Sequence, residues 1–262
     1  MTDISDTPSR LTARFVPLHR IHLRQVREMY DIFKAHYEHT DIETFVSDLS
    51  RKDGAILLTE SGTGRIVGFS SVVTLAVGER DQGRGVFSGD TIVVPEYWGT
   101  RALHFAFMRH IIRQKLRKPL SPLFWLLISK GYKTYLLMAN NFDRYYPHPD
   151  QQHEDLEPLV KSYCDTLFPG YYDPRTRVLD FGETAQRLRR GVAAVSDELV
   201  REVPKVRFFQ ERNPTWNRGT ELPCIALLSW TTITKAITKW WFQSSVRSLG
   251  RVGGRLKALG AR

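Results

Sequence analysis

The chain has little cysteine and no long run of apolar residues. Its 262 residues include only two cysteines, Cys164 and Cys224, too few for the disulfide framework of a small secreted protein. No apolar stretch approaches the roughly 20 residues that a membrane-spanning helix needs. The first residues also lack the basic and apolar regions of a secretory signal. We therefore expect a cytoplasmic protein, either soluble or attached peripherally to a membrane.

Acidic residues are missing from the C-terminal segment, although the whole chain carries a formal net charge of +10. No Asp or Glu occurs from Leu222 to Arg262. Trp230, Ile233, Ile237 and Trp241 recur there at helical spacing, with Lys and Arg between them. Such a basic amphipathic segment suits a membrane surface or an acidic carrier protein. A helix packed on the domain is the plainer alternative. A nucleic-acid partner is not expected, because only the charge favours it and no RNA- or DNA-binding motif is visible.

Hydrophobic residues make up 42% of the chain, which is enough for one sizeable core. We expect a disordered stretch over residues 1–10, one domain over 11–229 and the basic amphipathic segment over 230–262. Within the domain, residues 148–203 are predicted to form a helical insertion.

Hydrophobic periodicity and turn residues predict alternating strands and helices. The predicted strands cover residues 12–17, 54–60, 66–77, 86–94, 123–129, 206–210 and 222–228. The predicted helices cover residues 20–37, 41–49, 100–116, 130–147, 156–168 and 183–203. The S-G-T-G turn after residue 60 predicts a hairpin between the second and third strands.

Residues 85–116 run from a strand through a turn into a helix. Pro95 ends the strand, because proline cannot donate a hydrogen bond to a β-ladder. A helix follows with Thr100 as its predicted N-cap, and Leu103 and Phe107 begin its apolar stripe. The start of such a helix presents unpaired N–H groups and a partial positive charge, where phosphate oxygens bind. A connection without a ligand is the alternative.

The letters V-V-P-E-Y-W-G-T-R-A-L, from Val93 to Leu103, resemble motif A of the GNAT acyltransferase superfamily. In that motif V-x-P-x-x-R-G-x-G-x-G binds the pyrophosphate of coenzyme A. The positions that fit are Val94, Pro95, Tyr97 and Gly99. Trp98 replaces the usual Arg or Gln, and Arg101 and Leu103 replace two glycines. Glycine lets a backbone approach a phosphate closely, and two such glycines are replaced here. A carrier-protein thioester is therefore an alternative to acyl-CoA as the donor.

The order of the predicted elements also resembles the first half of the GNAT fold. The resemblance implies a mixed, mostly antiparallel central sheet flanked by helices, here with a helical insertion and a basic C-terminal helix. It implies a thioester-binding set on the turn and on the helix after the fifth strand. The members of that set are Val93, Val94, Trp98, Gly99, Thr100, Arg101, Ala102, Asn140 and Asn141.

Two further groups are candidates for the chemistry. Tyr145 or Tyr146 stands where the resemblance implies a phenol that protonates the departing thiolate, although a packing role is the alternative. Asp90 lies in an apolar strand, where burial would raise the pKa of its carboxyl and make it a better base. Strict alternation would place Asp90 on one face with Ser88 and Ile92. A carboxylate paired with an arginine, Arg84 or Arg101, is the alternative for Asp90.

We therefore expect an N-acyltransferase that moves an acyl group, a fatty acyl rather than an acetyl group, from acyl-CoA or acyl-carrier protein to a primary amine. The amine would belong to a peptide, a protein or a small molecule. No metal is expected, because the polar segment that holds His148, Asp150, His153 and Glu154 reads as a solvated loop. The alternative is a non-catalytic GNAT-fold protein that binds an anionic partner, either a membrane surface or nucleic acid.

Overall fold

The structure, a computed structural model, describes residues 10–78, 82–182, 187–188, 196–235 and 238. Its strands are β1 (Leu11–Pro17), β2 (Tyr37–Glu38), β3 (Gly54–Glu60), β4 (Ile66–Val77), β5 (Gly83–Val93), β6 (Leu123–Ser129), β7 (Tyr145–Tyr146), β8 (Tyr172–Asp173), β9 (Val178–Asp180), β10 (Arg187–Leu188) and β11 (Thr220–Leu227). Its helices are α1 (Leu23–His36), α2 (Ile42–Ser50), α3 (Ala102–Arg117), α4 (Tyr132–Ala139), α5 (Glu157–Leu167), α6 (Asp197–Glu202) and α7 (Pro204–Arg212). No helix in these ranges is long and apolar enough to cross a membrane.

Nine strands of the described chain form one sheet in the order β1-β3-β4-β5-β6-β11-β9-β8, with β7 also paired to β11. The neighbours β5 and β6 run parallel, whereas the other pairs in this sheet are antiparallel. Helices cover both faces. The predicted fold class, a mostly antiparallel GNAT-like sheet flanked by helices, is therefore confirmed.

Alternation along the central strands assigns the core residues to the two faces. Val86 and Trp125 pack in a buried cluster with side chains of α3 and α4. Their neighbours Phe87 and Leu126 pack in a second cluster with side chains of α5. A third cluster joins α1 and α2 to the other end of the second face. The strands at the centre are thus buried on both sides, which explains their nearly continuous apolar sequence.

The predicted strands at 54–60, 66–77 and 123–129 agree with β3, β4 and β6. The strand predicted over 206–210 is wrong, since these residues lie in α7. Val206 and Phe209 are buried on one face of that helix, and Pro204 has the fixed φ that suits a first helical position. A five-residue apolar run cannot distinguish such a helix from a strand.

Three other boundaries differ from prediction. Helix α3 begins at Ala102, and its N-cap is Arg101 rather than Thr100. Helix α4 ends at Ala139, and the predicted helix end at 145–146 is instead the strand β7, paired with Ile225 and Ala226. The inserted region also contains the short strands β8 and β9 besides helix α5. Its domain bounds stay a prediction.

Some predicted elements fall mainly outside the described residues. In the helix predicted over 183–203, residues 187–188 form a strand paired with β2, and only 197–202 are described as helical. Residues 230–235 are helical. Most of the predicted basic C-terminal helix and the N-terminal stretch over 1–9 lie outside the described residues.

A β-bulge interrupts the pairing of β4 with β5. Val72 pairs with Ser88 and Ser70 pairs with Thr91, so two residues of β5 stand opposite one residue of β4. Those two residues are Gly89 and Asp90, opposite Ser71. A bulge bends its strand and changes the direction of the side chains that follow. Bulges of this kind are common beside functional sites.

The bulge reverses the alternation of β5, so the prediction that Ser88, Asp90 and Ile92 share one face is wrong. The Ser88 hydroxyl accepts a hydrogen bond from the Trp125 indole at 2.9 Å on the side of α3 and α4. Ile92 is buried with α1 and α2 on the opposite side. Asp90 lies on the same side of the sheet as Ile92. The charges that act on its carboxyl belong to residues on that side, Lys130, Asp48 and Lys52.

The Gly89→Ala substitution tests the bulge. A Cβ at this position would lie 2.3 Å from Ser71 Oγ, so alanine should lower the free energy of unfolding by about 1–3 kcal/mol through overpacking. Ser71 Oγ is buried without a hydrogen-bond partner in the described structure, so Ser71→Ala alone should be nearly neutral. The double variant should recover most of the loss in urea denaturation. Strictly additive effects of the two substitutions would contradict the close contact.

Candidate active site

A cavity opens where β5 and β6 stop pairing. The parallel register runs from Arg84 opposite Leu123 to Phe87 opposite Leu126, and the last residues of the two strands then diverge. The cavity between them has a volume of about 1220 Å³, larger than the roughly 300–1,000 Å³ of ordinary ligand pockets. Its walls come from α3 and α4 on one side of the sheet and from β2, α2 and the inserted region on the other.

The turn after β5 is ordered by its own hydrogen bonds. Residues 95–97 form a single 3-10 turn, and Gly99 follows in the left-handed region with φ +84°. A Cβ at Gly99 would meet no atom within 4 Å, so the space beside this backbone is open. The Trp98 indole N–H donates to the Val93 carbonyl at 2.7 Å, which holds the ring along the turn although 61% of the residue is exposed.

The residues that replace two motif glycines differ in their surroundings. Leu103 is 6% exposed and packs in the core, while also contributing to the cavity wall. Arg101 is exposed, and its guanidinium lies 6.0 Å from the centre of the Phe105 ring. The Ala102 N–H donates to Thr100 Oγ1 at 3.4 Å. That N–H group is occupied, so an anion at the start of α3 would bind to the N–H groups that follow Ala102 in the first turn.

A hydrogen-bonded carboxylate attaches this turn to the β3–β4 hairpin. The Tyr97 hydroxyl donates to Glu60, which also accepts from Arg65 Nη2 at 2.9 Å and from Thr63 Oγ1 at 2.7 Å. These hydrogen bonds, with Arg65 the largest contributor, lower the pKa of the Glu60 carboxyl to about 2. The turn is thus anchored by an ionised side chain that sequence analysis did not identify.

The end of α4 supplies the facing wall. Asn140 and Asn141 both line the cavity. Lys205 donates to the Asn140 side chain at 2.9 Å, and Asn141 Nδ2 donates to the Leu137 carbonyl at 2.8 Å. Lysines at positions 133, 205 and 235 line this part of the cavity, and Lys235 pairs with Asp143 at 2.7 Å. This side of the cavity is therefore rich in cations.

The structure brings only part of the predicted thioester-binding set to the cavity. The members among its lining residues are Val93, Thr100, Asn140 and Asn141. The other members, which lie on the turn or at the start of α3, are Val94, Trp98, Gly99, Arg101 and Ala102. Their roles in binding stay predictions.

Asp90 lines the cavity within a group of charged side chains. Its carboxyl is partly buried, and desolvation raises its pKa, with Lys130 acting in the opposite direction. Lys130 forms an ion pair with buried Glu221 at 3.3 Å, and its ammonium lies 4.7 Å from the centre of the Tyr37 ring. Arg84, one of the two arginines considered as a partner, instead donates to the Gln114 carbonyl.

This charged group assembles from elements that are distant in sequence. Tyr37 is in β2, Lys130 follows β6 and Glu221 is in β11. Sequence analysis did not predict these three residues as a site, because no spacing pattern links them. A signal did exist in part: Glu221 is an ionisable residue at the start of an apolar strand, where a charge needs a partner.

The two tyrosines predicted as proton donors lie elsewhere. Tyr145 and Tyr146 are each 2% exposed in β7, and neither is among the described residues that line the cavity. The Tyr146 hydroxyl accepts from Arg177 at 3.4 Å, whereas the Tyr145 ring packs edge-on against Tyr135 with ring centres 6.5 Å apart. Burial raises the pKa of both phenols. Their catalytic role stays a prediction.

The polar segment after β7 shows the arrangement of a loop. His148 Nδ1 lies 3.8 Å from an Asp150 carboxylate oxygen, and the His153 ring is near the Asp143 carbonyl. Within the described ranges, no group of three or more His, Cys, Asp or Glu side chains is arranged to hold a metal ion.

No protein-family model matches the chain, and no curated protein matches it in sequence. Solved structures do match, and GNAT-family N-acetyltransferases are among them. One is a GNAT family N-acetyltransferase (YhbS) from Escherichia coli in complex with CoA, at 13% identity and a TM-score of 0.35, with 49% of this chain and 67% of that chain covered.

Two more matches have similar statistics. A probable N-acyltransferase from Enterococcus faecalis V583 is 15% identical with a TM-score of 0.39, and the match covers 52% of this chain but only 33% of that one. The ribosomal-protein-S18-alanine N-acetyltransferase from Escherichia coli is 16% identical with a TM-score of 0.34, with coverage of 49% and 74%. At these identities the likeness concerns the fold alone.

The Glu60→Gln substitution tests the anchor of the turn. A carboxyl whose folded pKa is lowered from its ordinary 4.5 to about 2 stabilises the fold above the ordinary pKa and loses that contribution as pH falls toward 2. The variant should therefore be less stable at pH 7, and its unfolding free energy should fall less steeply on acidification. Urea denaturation at pH 7, 4 and 3 measures both effects.

The matched control for this prediction is Glu211→Gln, which removes an exposed carboxyl on α7. It should leave the pH dependence of wild-type stability unchanged. Equal acid sensitivity in wild type and Glu60→Gln would show that this carboxylate does not anchor the turn.

Proposed function

We propose that the chain is a GNAT-type N-acyltransferase that moves an acyl group from a thioester donor to a primary amine. The observation that supports this most strongly is the cavity between the diverging strands β5 and β6, with the partly buried Asp90 carboxyl in its wall. A thioester lying between the strands would place its carbonyl carbon beside a base. Neither a nucleophilic side chain nor a covalent intermediate is needed for transfer to an amine.

The cation-rich side of the cavity suits the donor. A coenzyme A thioester carries several phosphate charges, and Lys133, Lys205 and Lys235 lie on that side together with the start of α3. A carrier protein would present only one phosphate on the same pantetheine arm. We therefore propose acyl-CoA as the donor, with a carrier-protein thioester as the alternative source of the same reactive group.

The reaction then follows from groups in the cavity. Asp90 takes a proton from the acceptor ammonium, and the neutral nitrogen attacks the thioester carbonyl. The new C–N bond forms as the C–S bond breaks, and the departing thiolate takes up a proton. Beyond Phe87, where β5 no longer pairs with β6, backbone N–H groups of β5 would stabilise the oxyanion. The predicted proton donors are Tyr145 and Tyr146; the phenol of Tyr37, which does line the cavity, is the alternative within it.

An apolar wall supports a donor with an acyl chain longer than acetyl. The rings of Phe107 and Trp125 lie 5.6 Å apart and those of Trp125 and Phe142 lie 5.3 Å apart, measured between centres. Met108 and Ile233 extend the same lining. Burying a methylene group contributes about 0.8 kcal/mol, so each added carbon that reaches this wall should strengthen binding. We propose a fatty acyl group as the transferred group.

Asp90→Asn tests the proposed chemistry. Loss of the base should lower kcat by at least about 100-fold without a measurable change in the affinity for coenzyme A. In the wild type, the raised pKa of Asp90 should shift the acid limb of the kcat profile upward, so that activity is lost as pH falls through that pKa. Acyl-CoA turnover with a primary amine, measured from pH 5 to pH 9, gives both results.

The control is Asp165→Asn, which removes a carboxyl that pairs with Lys161 on the surface of α5. Full turnover by Asp90→Asn would remove the residue from the mechanism. If the wild type binds coenzyme A but transfers no acyl group from any donor, the result would instead support the non-catalytic alternative.

Met108→Trp tests the acyl length. The larger side chain should narrow the apolar wall, so activity with octanoyl-CoA should fall at least about tenfold more than activity with acetyl-CoA, as expected for about 1.4 kcal/mol of lost contact. Met108→Leu conserves the volume and should keep the wild-type preference. A wild type that uses acetyl-CoA better than octanoyl-CoA would show that the fatty-acyl proposal is wrong.

A further inference from the structure

The side of the cavity around Asp90 carries an excess of negative charge. The described acidic and lysine residues that line it are the carboxylates Asp41, Asp48, Asp90 and Glu221 and the lysines Lys52 and Lys130, and His39 lines it as well. Four carboxylates and two ammonium groups leave two negative charges when all are ionised and His39 is counted as neutral. Lys52 pairs with Asp48 at 2.9 Å and Lys130 pairs with Glu221 at 3.3 Å. Asp90 has no ion-pair partner in the described part of the chain.

The phenol of Tyr37 also faces this side of the cavity, within electrostatic reach of Asp90. Tyr37 lines the cavity and is 8% exposed, and none of the described residues makes a hydrogen bond to its hydroxyl. Lys130, Asp90 and Glu221 all act on the pKa of this phenol, which places its oxygen within their electrostatic reach. The Tyr37 hydroxyl can accept a hydrogen bond from a ligand ammonium in the cavity.

Aromatic rings form the rest of this side. Phe168, Tyr171 and Phe181, all from the inserted region, line the cavity next to Phe87. Ring centres lie 5.6 Å apart for Phe87 and Phe168, 5.6 Å for Phe168 and Phe181, and 4.9 Å for Tyr171 and Phe181. The ammonium of Lys52 lies 5.5 Å from the centre of Phe87. The wall thus already contacts one alkylammonium chain, as aromatic faces do through cation–π attraction.

From these features we infer that the acceptor is an alkyl diamine or polyamine, an inference that rests on the proposed acyl transfer. One ammonium pairs with Asp90 and Tyr37, where it loses its proton and reacts. The methylene chain lies along the aromatic wall, and the second ammonium balances the remaining negative charge near Asp48 and Asp41. A monoamine leaves one of these charges unbalanced. An α-amino acid adds a carboxylate to a site that already has an excess of them.

Isothermal titration of the full-length protein tests the acceptor class by binding rather than by activity. The probes are 1,4-diaminobutane, butylamine and lysine. We expect 1,4-diaminobutane to bind at least about tenfold more tightly than butylamine, in line with one additional ion pair worth about 1.5 kcal/mol or more. Lysine, which has the same two amines and a carboxylate, should also bind more weakly than the diamine.

Variants assign the binding to this side of the cavity. Asp90→Asn should weaken binding of 1,4-diaminobutane at least about 30-fold, because it removes one partner of a largely desolvated ion pair. Tyr171→Ala should weaken it about two- to fivefold through loss of a cation–π contact. Tyr171 is 47% exposed, so this variant should fold normally. The surface variant Asp165→Asn should bind as the wild type does.

The inference would be overturned if butylamine or lysine bound as tightly as 1,4-diaminobutane. It would also be overturned if Asp90→Asn and Tyr171→Ala both bound 1,4-diaminobutane with the affinity of the wild type. A parallel titration with coenzyme A separates this from the proposed function. Coenzyme A binding without a preference for diamines removes only the acceptor class. Diamine binding that needs Asp90 in a protein that does not bind coenzyme A supports the amine site and removes the proposed donor.

Discussion

The divergence of two parallel strands is the constraint on which the site depends. Strands β5 and β6 pair only as far as Phe87 and Leu126. At that point the Trp125 indole bonds to Ser88 across the two strands. One residue further, the Leu127 carbonyl lies 3.1 Å from the Tyr163 hydroxyl of α5. Side chains thus take over the hydrogen bonding where the ladder ends, and the gap can remain open without many unsatisfied backbone groups.

The bulge at Gly89 and Asp90 gives this gap its chemical character. Without it, simple alternation would place Asp90 on the side of Ser88, towards the apolar helices α3 and α4. The extra residue sends the carboxyl to the opposite side, near Lys130 and Glu221. The small side chain at position 89 is needed because Ser71 Oγ occupies the space beside it. A local backbone irregularity therefore decides which side of the sheet holds Asp90, the proposed base.

The resulting cavity has two unlike sides connected through the gap. On the side of α3 and α4, lysines and apolar rings would suit an anionic thioester carrier with a hydrophobic acyl chain. On the other side, carboxylates outnumber lysines and aromatic rings come from the inserted region. Anionic donor and cationic acceptor would each be attracted to a different side and would meet between the strands. In the proposed reaction, this division of charge would orient the two substrates towards each other.

Much of this architecture could be predicted because strong local signals mark it. The turns around β3 and β4 and the proline after β5 fixed strand ends that the structure reproduces closely. Tertiary context decided the rest. Residues 206–210 were predicted as a strand but lie in a helix, in which Val206 and Phe209 are the buried residues. The pair at 145–146 became a strand because the edge of β11 was available to it. Neither outcome is encoded in a short window.

The residues of the candidate site divide in the same way. Asp90 was identifiable as a charge in an apolar strand, although the bulge that orients it was not. Tyr37, Lys130 and Glu221 meet only after the sheet has formed, since each comes from a different element. The most direct measurement is a crystal structure with a thioether analogue of octanoyl-CoA. We expect its sulfur and carbonyl between β5 and β6, with phosphates at the start of α3. A ligand bound elsewhere, or a gap filled by the protein's own side chains, would contradict the proposed site.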